Sequence, residues 1–198
     1  QGVAPGAYLI NARALDAFGG AYVSWVVNAI DWAVSQGADV ISMSIGWMPG
    51  DIVQLLNEAS DAAWESGSIV VVSAGNSGPL SGTISSPGMA SRAITVGASD
   101  VFNGTTYWSS RGPSTNGLID PDVLVPGANI LSTIPNDIYE VYSGTSMAAP
   151  AVAGVAALLK SVFPSVNIDI IRSAIISTAT DMGRSVFEQG AGMVNALE

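Results

Sequence analysis

Three short stretches of this sequence set small polar residues where chemistry can happen. Ser143-Gly144-Thr145-Ser146-Met147-Ala148-Ala149-Pro150 runs straight into an apolar helical stretch, so Ser146 stands at a helix N-terminus. Free backbone N–H groups and the helix dipole favour negative charge there. A hydroxyl at such a place either caps the helix or reacts, and the residue type alone leaves both open. Ser44-Ile45-Gly46 and Ala74-Gly75-Asn76 each close an apolar, β-rich run. In open α/β sheets ligands gather at the carboxyl ends of the parallel strands. Asn76, taken singly, reads as a turn residue at a strand end. Two absences bound the chemistry. With no cysteine and no histidine, thiol catalysis, disulfides, Cys-based zinc sites and the usual neutral-pH general base are all excluded from these residues.

The elements that must position these stretches follow from periodicity. Tyr8 to Leu15 is mostly apolar and reads as a buried strand. Over residues 22–35, Tyr22, Trp25, Val26, Ala29, Ile30 and Ala33 fall at helical spacing, and Gly37 suits the C-cap. Asp39 to Ser44 is a short β-rich run. Asp51 suits an N-cap for a helix through Glu65, which Gly67 stops. Ser68 to Ala74 holds the unbroken run Ile69-Val70-Val71-Val72, expected of a strand covered on both faces. This βαβαβ order predicts a parallel sheet with helices on both sides. Arg92 to Ala98 adds a strand. From Asp100 to Ser143, glycine, proline and asparagine punctuate short β segments that read as hairpins and ribbons. Two helices follow, over 145–162 and 167–179, divided by Pro164. There is no internal repeat and no low-complexity tract. One α/β unit accounts for the whole chain.

The composition narrows the partners. Of 198 residues, 48% are apolar and 11% charged, which is enough apolar side chain for a sizeable core. Six basic residues against sixteen acidic ones leave a net charge of −10. That balance excludes a nucleic-acid partner, because nothing could neutralise a run of phosphates. No basic, apolar leader opens the sequence, and no uninterrupted apolar run of about 20 residues predicts a membrane span. Asn103-Gly104-Thr105 is a glycosylation sequon. Asp120, Asp122 and Asp137 read as solvated turn carboxylates that need no metal.

Gly144-Thr145-Ser146-Met147-Ala148-Ala149-Pro150, followed by Ala153-Gly154-Val155-Ala156-Ala157-Leu158-Leu159, resembles the nucleophile segment of the subtilisin-like serine proteases, the subtilases. The likeness continues in family order. Gly2 to Ala7 resembles the segment after the catalytic-histidine region, Asp39 to Gly46 the substrate-binding strand, and Val71 to Asn76 the oxyanion-hole strand. Trp108 to Pro113, Pro121 to Gly127 and Gly190 to Ala196 carry it to the end. The resemblance implies a three-layer αβα fold with a mostly parallel sheet. It makes Ser146 the nucleophile and Asn76 the side-chain donor to the oxyanion, with the Ser146 N–H beside it. It sets Ser44, Ile45 and Gly46 along the substrate backbone, Gly19 and Gly20 on the opposite wall, and Ala74, Gly75, Ser85 and Ser86 around a primary pocket of broad apolar preference. A peptide or protein is the implied substrate. The chemistry needs no cofactor; a structural calcium is typical of the family, and backbone carbonyls around Ser86-Pro87-Gly88 are the candidate ligands.

The same resemblance exposes what these 198 residues lack. The family's catalytic aspartate and histidine belong before Gly2, so residues 1–198 read as the C-terminal portion of one subtilase catalytic domain, incomplete at its N-terminus. The expected partner is the N-terminal portion of the same protease, carrying Asp and His and completing the sheet. A secreted or cell-surface location is implied. Two rivals stay open: an inactive subtilase-like module that binds peptides or serves structure, and a relative of the acid-acting sedolisins. The latter share a Gly-Thr-Ser motif, but place an aspartic acid where this chain has Asn76.

Overall fold

The structure, a computed structural model, describes residues 2–50, 52–102 and 104–197. Asp51 and Asn103, expected as a helix cap and a sequon, lie outside the described residues. Four strands form the main sheet: β1 (Val40–Met43), β2 (Ile69–Ser73), β3 (Ile94–Ser99) and β4 (Val123–Pro126), in the order β1-β2-β3-β4. Every pairing is parallel, with Ser42 against Val71, Val72 against Thr95 and Val96 against Val123. Helix α1 (Val23–Ser35) precedes β1, and α2 (Gln54–Glu65) links β1 to β2 as the crossover a parallel pair requires. Gly37 ends α1 with a φ of +73°, the left-handed turn that glycine adopts without a Cβ clash.

The long helix α3 (Thr145–Val162) runs along all four strands, while α2 packs on β2 and against α1. All five residues of β2 are buried, and successive side chains point to opposite faces, so helices cover both. Burying Ile69, Val70, Val71 and Val72 contributes about 1.5–3 kcal/mol each. Although α3 has the length and apolar composition of a membrane span, its Ala148, Ala149, Val152 and Ala156 face are sealed into the core. Helix α4 (Ile168–Ser177) packs on α3, and its Asp169 accepts the Trp64 indole N–H of α2 at 2.8 Å.

Two expectations fail here, for one shared reason: strand character depends on neighbours. Tyr8 to Leu15 is not a buried strand. Tyr8 is fully exposed, Leu9 nearly so, and no sheet partner pairs with the segment among the described residues. It runs instead across a cavity of about 280 Å³ from the open edge of β1. Conversely, the turn-rich stretch after Asp100 contains β4, a fourth parallel strand with Val123 and Leu124 wholly buried. The ribbon expected there is present too, as the antiparallel pair β5 (Ile130–Ile134) and β6 (Ile138–Tyr142). The outer edge of β4 is covered by the C-terminal segment: Leu124 N–H donates to Gly192 at 2.8 Å and Val194 N–H to Leu124 at 3.0 Å. A one-turn helix, α5 (Val186–Gln189), precedes that strap.

Candidate active site

Ser146 is the second residue of α3, and Gly144 precedes the helix in extended backbone. The N-cap position is Gly144, which has no side chain, and Ser146 stands inside the helix, so Ser146 is not its cap. Its hydroxyl instead donates to the Ser44 carbonyl at 3.4 Å, while the Ser44 hydroxyl donates to the Ser146 carbonyl at 2.8 Å. The end of β1 and the start of α3 are thus tied residue to residue.

Asn76 joins the same cluster from the end of β2. Its Oδ1 accepts both the Thr145 N–H at 2.9 Å and the Thr145 hydroxyl at 3.0 Å. A backbone N–H can only donate, so the atom facing Thr145 must be the oxygen, and Nδ2 is left as the outward donor. That nitrogen lies beside Gly144, where an added Cβ would come within 3.4 Å of it. The Thr145 hydroxyl also accepts the Gly75 N–H at 3.1 Å. Thr145 therefore orients Asn76, a role that the residue pattern did not single out although Thr145 stands inside the same motif.

The flanking walls meet around Ser85. A Cβ on Gly46 would lie 2.5 Å from the Ser85 hydroxyl oxygen, and one on Gly75 2.8 Å from it. Gly75 also has a φ of +108°, so glycine is required there twice over. Ser85 itself donates to Ala74 O at 3.2 Å, and reciprocal backbone bonds between Trp47 and Ser86, both 2.9 Å, hold the two walls together. Ser44, Ile45, Gly46, Ala74, Gly75, Asn76, Ser85 and Ser146 are thereby brought together. Gly19 and Gly20 are not joined to them by any hydrogen bond among the described residues. They form an exposed turn in which the Asp16 carboxylate accepts the Phe18 and Gly20 N–H groups, each at 2.8 Å.

The carbonyls expected to hold a cation each accept one hydrogen bond and keep a second lone pair. Ser86 O accepts Trp47 N–H, Pro87 O accepts Ala90 N–H, and Gly88 O accepts the Thr95 hydroxyl. No group of three or more Asp, Glu, His or Cys side chains converges among the described residues, so no carboxylate cage supplements them.

Asp120 and Asp122 are not solvated turn carboxylates. Asp120 is buried and Asp122 largely so at the entry to β4, because the strap over residues 190–194 and α4 close over this corner. Asp122 pairs with Arg172 at 2.7 Å and accepts the Thr95 N–H at 2.8 Å. Asp120 has no such cation, and its Oδ2 has no hydrogen-bond partner. Burial above all, with the Asp122 charge beside it, pushes its carboxyl up to about 7, the Ser114 hydroxyl and Arg172 only partly opposing this. Asp137 is exposed, as expected.

The Subtilase family (peptidase S8) pattern matches residues 1–193. The chain belongs to the subtilase family. Subtilisin E of Bacillus subtilis (strain 168) is 41% identical over 196 residues, covering 98% of this chain and 49% of its own length. Subtilisin of Bacillus pumilus is 40% identical over 196 residues, covering 98% and 68%. Among solved structures, sphericase superposes with a TM-score of 0.80 at 30% identity, covering 91% of this chain and 66% of that one. This subtilase chain therefore spans about half the length of several curated relatives that it matches, and its three-layer fold is theirs.

Proposed function

We propose that this subtilase chain carries the nucleophile and oxyanion hole of a serine endopeptidase whose catalytic aspartate and histidine lie on polypeptide outside these 198 residues. Ser146 Oγ attacks the scissile carbonyl and gives its proton to that external base. The oxygen becomes negative only as the tetrahedral species forms, so donors aimed at it lower the barrier selectively. Asn76 Nδ2 and the Ser146 N–H are those donors. Collapse expels the amine, which takes the proton from the base, and leaves an acyl group on Ser146 for water to remove. Ser44, Ile45 and Gly46 pair with the substrate backbone, Gly19 and Gly20 form the facing wall, and Ala74, Gly75 and Ser85 surround the side chain before the cleaved bond.

The observation that carries this reading is the double clamp of Thr145 on Asn76 Oδ1, which leaves the amide nitrogen beside Gly144, on the side where the Ser146 backbone nitrogen also lies. The supplying polypeptide is the N-terminal portion of the same protease. Its place is supported by the open edge of β1 and the cavity that separates it from residues 10–15. The location is extracellular. The test is labelling by a fluorophosphonate in the protease that contains these residues. Ser146 should be modified and Ser146→Ala should not be; label on another serine, or none, defeats the assignment and favours an inactive module.

A further inference from the structure

Inside an α-helix each carbonyl accepts the N–H four residues on. For Ser146 that residue is Pro150, which lies within α3 and has no N–H to give. The proline ring also crowds the carbonyl of the residue four positions back, and that carbonyl is again Ser146's. The peptide bearing Ser146 is therefore the one place in the first turns of α3 where the helix cannot hold its own backbone. The structure puts another donor there. The Ser44 hydroxyl reaches the Ser146 carbonyl at 2.8 Å, a bond spanning 102 residues of sequence.

We infer that Ser44 is a positioning residue for Ser146, its hydroxyl replacing the helix hydrogen bond that Pro150 removes. The inference rests on Ser146 being the nucleophile, as proposed above, and adds a role for a side chain so far credited only with its backbone. Ser44 is suited to the task because it follows directly on β1. There Met43 is buried and registers with Val72, so the hydroxyl is carried by the rigid end of the sheet. The reverse bond, from the Ser146 hydroxyl to the Ser44 carbonyl at 3.4 Å, holds the nucleophile's oxygen over the same strand end. Ser44 is exposed. If its hydroxyl is removed, water can satisfy the Ser146 carbonyl but cannot fix it, since water has no tether to β1. Stability should then change little, and the aim of the nucleophile much more.

The experiment is a cycle in the full-length protease containing these residues, with kcat and KM measured on a chromogenic peptide and Ser146 labelling by a fluorophosphonate read in parallel. Ser44→Ala should lower kcat by about 10- to 100-fold, with KM within about twofold and Tm moved by only a few degrees. Pro150→Ala restores an N–H four residues beyond Ser146. Measured against the Pro150→Ala parent, Ser44→Ala should cost less than about threefold in kcat, because the helix now supplies the bond. Ser44→Thr, which keeps the hydroxyl, should retain kcat, and Ser44→Val, which has the same shape without it, should behave as Ser44→Ala. This second pair decides the matter if an alanine variant does not fold. An equal loss in both backgrounds, no loss in either, or Thr and Val behaving alike overturns the role while leaving the nucleophile intact. Failure of Ser146 to label in the parent enzyme overturns both.

Discussion

Asp120→Asn should abolish the part of this protein's stability loss between mildly acid and neutral pH that the Asp120 carboxyl causes. Asp120 is buried beside Asp122, and the single guanidinium at this corner, Arg172, is already paired with Asp122. Two carboxylates, one buried and one largely so, facing one cation cannot both ionise cheaply, so a proton stays on Asp120. Its folded value of about 7 stands against 3.8 in the open chain. Below pH 3.8 the group is protonated in both states and its stabilisation is complete. Between 3.8 and 7 the unfolded carboxyl ionises while the folded one does not, so stability falls as pH rises; above 7 the loss is constant. At 1.36 kcal/mol per pH unit, that window of 3.2 units sets an upper bound of about 4 kcal/mol. Asparagine resembles the protonated acid and does not titrate. Urea unfolding from pH 3.5 to 8.5 should show the variant level with the parent at the acid end and ahead of it, by up to that amount, at pH 8. Parallel curves for parent and variant across the whole range would refute the reasoning.

Three further outcomes concern the site in the assembled protease. Asn76→Ala should lower kcat by about 10²–10³-fold with a smaller change in KM, the loss known for removing one such donor from subtilisin; an unchanged kcat takes Asn76 out of the oxyanion hole. Thr145→Val removes one donor to Asn76 Oδ1 and leaves the part-buried Gly75 N–H without its partner, so kcat should fall by about 5- to 150-fold, from about 1–3 kcal/mol of lost positioning. A loss that appears in KM alone would show that Thr145 does not aim Asn76. Ser85→Gly should merge the spaces beside Gly46 and Gly75 and raise kcat/KM for a larger apolar side chain over alanine by about tenfold; an unaltered ratio moves the pocket elsewhere.

What was legible in the sequence depended on how local the cause was. The run Ile69 to Val72 announces a strand buried on both faces, and β2 is that, because four consecutive apolar side chains need cover on both sides. Ser146 at a helix start and Asn76 at a strand end follow from the small-residue motifs that bracket α3 and β2. The aim of Asn76 did not follow, since it comes from Thr145, 69 residues away and brought beside it only by the parallel sheet. Asp120 and Asp122 looked like turn residues because their composition is that of a turn. Their burial comes from the strap at residues 190–194, which crosses β4 from the far end of the chain.

Tyr8 to Leu15 makes the complementary point about strands. Its apolar pattern is that of a segment buried on both faces, yet Tyr8, Leu9 and Ile10 face solvent. An isolated extended segment gains neither ladder hydrogen bonds nor packed neighbours, so the pattern states what surrounds the segment requires rather than what it can achieve alone. β1 shows the same need from the other side. Ile41 and Met43 are buried and bonded to β2, while the opposite edge opens on the cavity beside residues 10–15. Among the described residues the apolar segment pairs with no strand and β1 has one edge unpaired, and the slot between them is where the proposed N-terminal polypeptide would enter. A strand entering that slot would run beside Ser44, whose hydroxyl and carbonyl both touch Ser146. Completing the sheet and bringing new side chains to the nucleophile would then be a single event.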